Sequence, residues 1–131
     1  MTSTLTLVIY MAILTWLTLL AASLIRAKGW TFSGMMIAFG NRDKLPAATP
    51  LAGRAERTAR NTLENFLLFA AIALVAHAAG ATSPRVAMGA ELFFWSRVVY
   101  IPVYYAGIIY LRTAVWLVGV IGLAMMIAAL V

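Results

Sequence analysis

Gly53-Arg54-Ala55-Glu56-Arg57-Thr58-Ala59-Arg60-Asn61-Thr62-Leu63-Glu64-Asn65 runs without a break into Phe66-Leu67-Leu68-Phe69-Ala70-Ala71-Ile72-Ala73-Leu74-Val75-Ala76, so charged residues stand at the head of a hydrocarbon run. Read as one helix turning every ~3.6 residues, Arg54, Arg57, Asn61 and Glu64 fall on one face. On a helix bound for a bilayer, such a polar stripe must face protein or water rather than lipid. Arginines alone could mark a cytoplasmic end and snorkel into headgroups. Asn61 and Glu64 reach further in, and a carboxylate there predicts a cationic partner: Arg60, Arg57, or an arginine of another helix.

The whole composition agrees with that reading. Of 131 residues, 64% are hydrophobic and only 11% charged, against roughly half and about a quarter in soluble domains. The fold class expected is all-α and integral to a membrane. The formal charge is +6, but the basic residues lie between apolar runs rather than along a soluble face, which favours membrane lipids and an anionic ligand and argues against nucleic acid. No cysteine is present, so thiolate metal sites and a cysteine nucleophile are excluded; any thiol must come with a substrate. The lone His77 cannot form a metal cluster, and no metal is expected.

Working outward, Thr49-Pro50 has the form of a helix start, with threonine as N-cap and proline in the first turn. The helix it opens extends to about residue 77, long enough to cross the hydrocarbon and protrude. The preceding residues 29–49 read as a loop with short interfacial pieces at 30–32 and 35–37. Before it, residues 5–25 have the length of a span, closed by Arg26 and Lys28, and read as a retained helix rather than a signal peptide. Beyond the turn at 79–84, a third apolar run contains Glu91 and Arg97. Arg97, about halfway along, should face the bundle interior, a polar cavity or a carboxylate. Residues 107–111 read as a tight connection, Arg112 and Thr113 follow, and the last run is apolar on every side, with Gly119, Gly122, Ala124 and Ala128 offering close packing. One membrane domain of four transmembrane helices, residues 1–131, is expected, with spans at about 5–25, 55–77, 86–106 and 113–131.

Basic residues concentrate in the first connection and the start of the second span, so the positive-inside bias predicts a cytoplasmic first and third connection and both termini outside. Arg26, the charged stretch, Tyr100, Tyr104, Arg112 and Thr113 then converge on the cytoplasmic side. Guanidinium forks suit a ligand with carboxylates, and Glu64 suits a ligand ammonium. Tyrosines and apolar walls suit a lipophilic second substrate.

The pattern Arg54, Arg57, Arg60-Asn61, Glu64, followed by Arg97, Tyr100 and Tyr104 and then Arg112-Thr113, resembles the membrane-associated proteins in eicosanoid and glutathione metabolism (MAPEG) over nearly the whole chain. The short, loop-poor chain is similar to bacterial members, which implies a bacterial inner membrane. The resemblance implies a homotrimer of four-helix subunits that binds glutathione between neighbours on the cytosolic side. It implies that Arg26, Arg57, Asn61, Glu64, Tyr100 and Tyr104 hold glutathione and that Arg112, with Thr113 beside it, stabilises the thiolate. Arg54, Arg60 and Arg97 match charged positions of a partly structural kind. The sequence departs from the family pattern at Gly53, where an acidic residue is often found, and at Tyr100, Thr113 and Trp116, where histidine, serine and tyrosine occur.

The implied activity is that of a glutathione-dependent transferase or peroxidase. A membrane protein that binds glutathione or another anion without turning it over is the alternative, since a pocket does not establish a reaction. A small transporter is a third reading, weakened by the absence of charge from residues 5–25.

Overall fold

Hydroxyl and proline signals set the helix starts in the computed structural model, which describes residues 2–131. Thr2 caps α1 (Ser3–Ala27) by accepting from the Leu5 N–H. A short α2 (Phe32–Phe39) follows, capped by Thr31. The Thr49 hydroxyl accepts from the Ala52 N–H at 3.1 Å and opens α3 (Pro50–Ala78), with proline in its first turn. Ser83-Pro84 repeats the device for α4 (Pro84–Tyr105). The last helix, α5 (Ile109–Leu130), has no capping side chain. No strand occurs among the described residues.

Among the described residues, four of the five helices, all but α2, are long and apolar enough to cross a membrane. Their outward faces carry large side chains such as Trp16, Leu67, Leu68, Leu74, Met88 and Ile121. That surface suits lipid and would be untenable in water.

Two expectations need correction. Part of the first connection is a helix rather than loop: α2 takes in residues 32–39, and with them the piece at 35–37, while Trp30 and the capping Thr31 stay outside it. The connection expected at 107–111 is only Ala106–Gly107–Ile108, so Arg112 and Thr113 are helical residues near the start of α5. Gly107 makes the short turn with φ of 75°, a conformation that costs glycine little.

The helices pair α1 with α3 and α4 with α5, and the pairs meet chiefly through α3 and α4. The core contains Met11, Phe69, Ala73, Ala90, Phe93 and Met126, with the Phe69 and Phe93 rings stacked at 4.6 Å. Part of the glycine-bearing face of α5 is spent inside the chain. A methyl group on Gly122 would lie 2.6 Å from the Gly89 carbonyl oxygen, so the two backbones meet where neither carries a side chain. Ala124 and Ala128 remain exposed.

The helices run so that the C-terminal ends of α1 and α4 and the N-terminal ends of α3 and α5 meet at one end of the bundle. Side-chain bonds fasten that end: Arg54 Nε donates to the Tyr105 carbonyl at 2.9 Å, Arg42 to the Ser23 carbonyl at 3.2 Å, and Arg26 to the Pro46 carbonyl.

Candidate functional site

At that end a cavity of about 340 Å³ opens between α3, α4 and α5. Arg57, Arg60, Asn61 and Glu64 line it from α3, Tyr100 and Tyr104 from α4, and Arg112, Thr113 and Trp116 from α5. Helical repeat explains each contribution. Arg57, Asn61 and Glu64 fall a turn apart on α3, Tyr100 and Tyr104 a turn apart on α4, and Arg112 and Trp116 a turn apart on α5.

The polar groups are held by one another. Arg57 Nε donates to the Tyr104 hydroxyl at 3.1 Å. The Arg112 guanidinium lies over the Tyr104 ring, 4.6 Å from its centre. Tyr100 and Tyr104 meet edge to face at 5.6 Å. Arg97 sits behind them, its guanidinium 4.1 Å from the Tyr100 ring centre. Asn65 donates to both the carbonyl and the side-chain oxygen of Asn61, at 2.8 and 3.2 Å, which fixes the Asn61 amide at the cavity wall.

Seven of the eight residues expected to act as catalytic or glutathione-holding groups thus line one cavity. Arg26 does not: its guanidinium is turned to the Pro46 carbonyl, which braces the first connection against the end of α1. Arg54 and Arg97 lie outside the cavity, Arg54 clasping the end of α4 and Arg97 buried in the bundle interior. Arg60 is at the cavity wall.

The cationic partner expected for Glu64 is not found. Among the described residues the one ion pair joins Arg60 to Glu56 at 3.6 Å, one turn toward the helix start. Glutamate preceding arginine by four residues is the better orientation on a helix, so Glu56 captures Arg60 and leaves the Glu64 carboxylate to the cavity. Of the surroundings expected for Arg97, the structure gives the bundle interior, where the Thr62 hydroxyl accepts from its Nη2 at 2.9 Å.

Trp116 stands out in the sequence only as a departure from the family pattern, yet it forms part of the wall. Its position four residues after Arg112, on the same face of one helix, is the signal that could have placed it there. Thr62 gives no such signal, because a threonine beside an asparagine in a helix carries no mark of what it will face.

The arrangement offers cations on two walls, one uncommitted carboxylate, an amide and two phenols, with an indole at the margin. It fits a compact zwitterion bearing more than one carboxylate and an ammonium group. The described residues contain no group of three or more acidic, cysteine or histidine side chains able to hold a metal.

No curated protein and no solved structure matches the sequence. The MAPEG family model matches residues 3–131, which is nearly the whole chain and includes every residue of the cavity. With four apolar helices of spanning length and that match, this integral membrane protein belongs to the MAPEG family.

Proposed function

We propose that the protein is a glutathione-dependent membrane transferase or peroxidase that ionises the glutathione thiol for attack on a lipophilic partner. The observation that carries this reading is the cavity, where Arg57, Asn61, Glu64 and Arg112 face one space of about 340 Å³, within the size range of small-molecule sites. The family includes glutathione-dependent transferases and peroxidases, which supports the assignment.

Each end of the ligand finds its complement. Arg57 grips a glutathione carboxylate, Asn61 meets its amide groups and Glu64 its ammonium, while Arg60, drawn to Glu56, adds positive charge at the wall. The thiol then lies toward Arg112 and Thr113 on the facing helix. A free thiol has a pKa near 8.5, and a close cation lowers an acid's pKa by about 1–3 units. Arg112 therefore holds most of the bound thiol as thiolate at neutral pH, the proton passing to water. Thr113, whose hydroxyl donates to the Ile109 carbonyl at the long distance of 3.4 Å in the structure, turns that proton to the sulfur when glutathione is bound.

The thiolate attacks an electrophilic carbon; the S–C bond forms and the leaving group departs with its electron pair, or, with an enal, the C=C electron pair moves to the carbonyl oxygen and the enolate takes a proton. With a hydroperoxide, sulfur attacks the terminal oxygen, the O–O bond breaks, and the alkoxide takes a proton to leave as alcohol. The sulfenic acid so formed reacts with a second glutathione to give disulfide and water. The lipophilic partner arrives along the apolar surface beside Trp116.

The charged end lies in the cytoplasm under the positive-inside bias, with both termini on the opposite side. The subunits form a homotrimer in which the open flank of each cavity meets a neighbour, and Arg26 reaches glutathione only across that junction. Turnover is the test. The purified protein in lipid nanodiscs, given glutathione with aryl halides, enals and lipid hydroperoxides, should give conjugates or alcohols well above the uncatalysed rate. Saturable glutathione binding with no turnover across that panel would replace the enzyme by a binding protein.

A further inference from the structure

Arg97 is 1% exposed, near the middle of α4, and has no carboxylate against it. Its Nη2 bonds to Thr62, and its Nε has no hydrogen-bond partner. Burying a cation this way is costly, and an apolar side chain of similar volume would often serve packing as well or better. The guanidinium also lies against the face of Tyr100.

From Tyr100 the contacts are continuous. Its ring meets Tyr104 edge to face, Arg112 lies over the Tyr104 ring, and Arg57 donates to the Tyr104 hydroxyl. Two tyrosines are thus held among three guanidiniums, Arg97 buried in the bundle and Arg57 and Arg112 in the cavity. The Arg112 guanidinium has no hydrogen bond or ion pair among the described residues, so the Tyr104 ring is the contact that sets its place. If Tyr100 loses the cation on its face, it loses one of the contacts that set its angle, and the change passes through Tyr104 to the seat of Arg112.

We infer that Arg97 is a positioning residue: held by Thr62, it fixes the Tyr100–Tyr104 pair and through it the guanidinium of Arg112 that faces the thiol. The effect on sulfur rests on the function proposed above; the hold on the tyrosines does not. Arg97 lines no part of the cavity, so glutathione affinity should depend on it little.

The test compares wild type with Arg97→Met, Arg97→Lys and Thr62→Val in nanodiscs. Methionine removes the buried charge together with its need for partners, and Thr62→Val keeps the charge but removes its anchor, so one variant remains informative if the other misfolds. The first readout needs no ligand: ring-carbon resonances of ¹³C-labelled tyrosine, assigned with Tyr100→Phe and Tyr104→Phe. The second is the pH dependence of thiolate absorbance with glutathione bound. Arg97→Met is expected to shift both the Tyr100 and the Tyr104 resonances. It should raise the midpoint of thiolate formation by roughly half to one pKa unit, about a 3- to 10-fold fall in the bound thiol's ionisation constant, with the Kd for glutathione changed about twofold or less. Arg97→Lys should recover part of the thiolate, and Thr62→Val should move both readouts the same way by less. An unmoved Tyr104 resonance in a folded Arg97→Met protein overturns the inference, as does an unchanged thiolate midpoint. Wild-type protein that binds no glutathione would defeat the proposed function instead, and the Tyr104 resonance would still decide whether Arg97 holds the pair.

Discussion

Arg112→Leu is expected to leave glutathione bound as the thiol and to remove nearly all of the thiolate absorbance at pH 7. The sign follows from charge: a cation beside the sulfur favours the anion, so removing it returns the thiol toward its free pKa of about 8.5, where only a few per cent is ionised at pH 7. With most of the thiol ionised beforehand, the loss is about 10- to 30-fold in thiolate. Turnover falls at least as far, because the cation also lies beside the sulfur as its charge moves onto the partner. The structure makes this a clean substitution. Arg112 stands in the first turn of α5, is half-exposed, and touches the fold through the Tyr104 ring, so leucine leaves no buried group unpaired. Arg112→Lys should keep an intermediate thiolate signal, since the charge survives but the planar face that lies on Tyr104 does not. A thiolate curve for Arg112→Leu that overlays the wild type would take Arg112 out of the mechanism.

Arg57→Ala should act on a different quantity, the affinity. Arg57 points a fork into the cavity and at the same time donates Nε to the Tyr104 hydroxyl. A hydrogen bond to a charged group contributes about 1.5–3 kcal/mol, so the Kd for glutathione should rise roughly 10- to 150-fold. The loosened Tyr104 adds a smaller loss of thiolate in whatever glutathione still binds. Arg60→Ala is the informative contrast. Its guanidinium is drawn to Glu56 in an exposed pair, and such pairs contribute about 0–1 kcal/mol, so the same calorimetric titration should show a much smaller change. Equal losses in the two variants would mean that the cavity attracts glutathione by net charge alone and that the fork of Arg57 has no special place.

Some of these residues are legible in the sequence and others are not, and the difference is one of range. Arg57, Asn61 and Glu64 share a helix, and the 3.6-residue repeat alone puts them on one face. The start of α3 is equally local, because Thr49 and Pro50 are the capping group and the first-turn residue themselves. The start of α5 is hidden for the opposite reason: Ile108 offers no capping side chain, and nothing in the run after Gly107 marks where the helix begins. The partners of Arg26 and Arg97 depend on how separate helices meet. A backbone carbonyl at Pro46 and a hydroxyl at Thr62 satisfy them, and neither group is distinguishable in sequence from its neighbours. The small residues of α5 are recognisable as a packing surface, but that Gly122 presses on Gly89 of the same chain follows only from the α4–α5 crossing itself.

The central claim is that one cavity binds glutathione and ionises its sulfur. It is tested most directly by titrating the purified wild-type protein with glutathione in a calorimeter while following thiolate absorbance in the same samples. Saturable binding, with thiolate absorbance rising in proportion to occupancy at neutral pH, is the predicted result. Heat of binding without the absorbance would contradict the ionisation. No saturable binding at all would contradict the claim as a whole and leave the arginines of α3 to serve the fold.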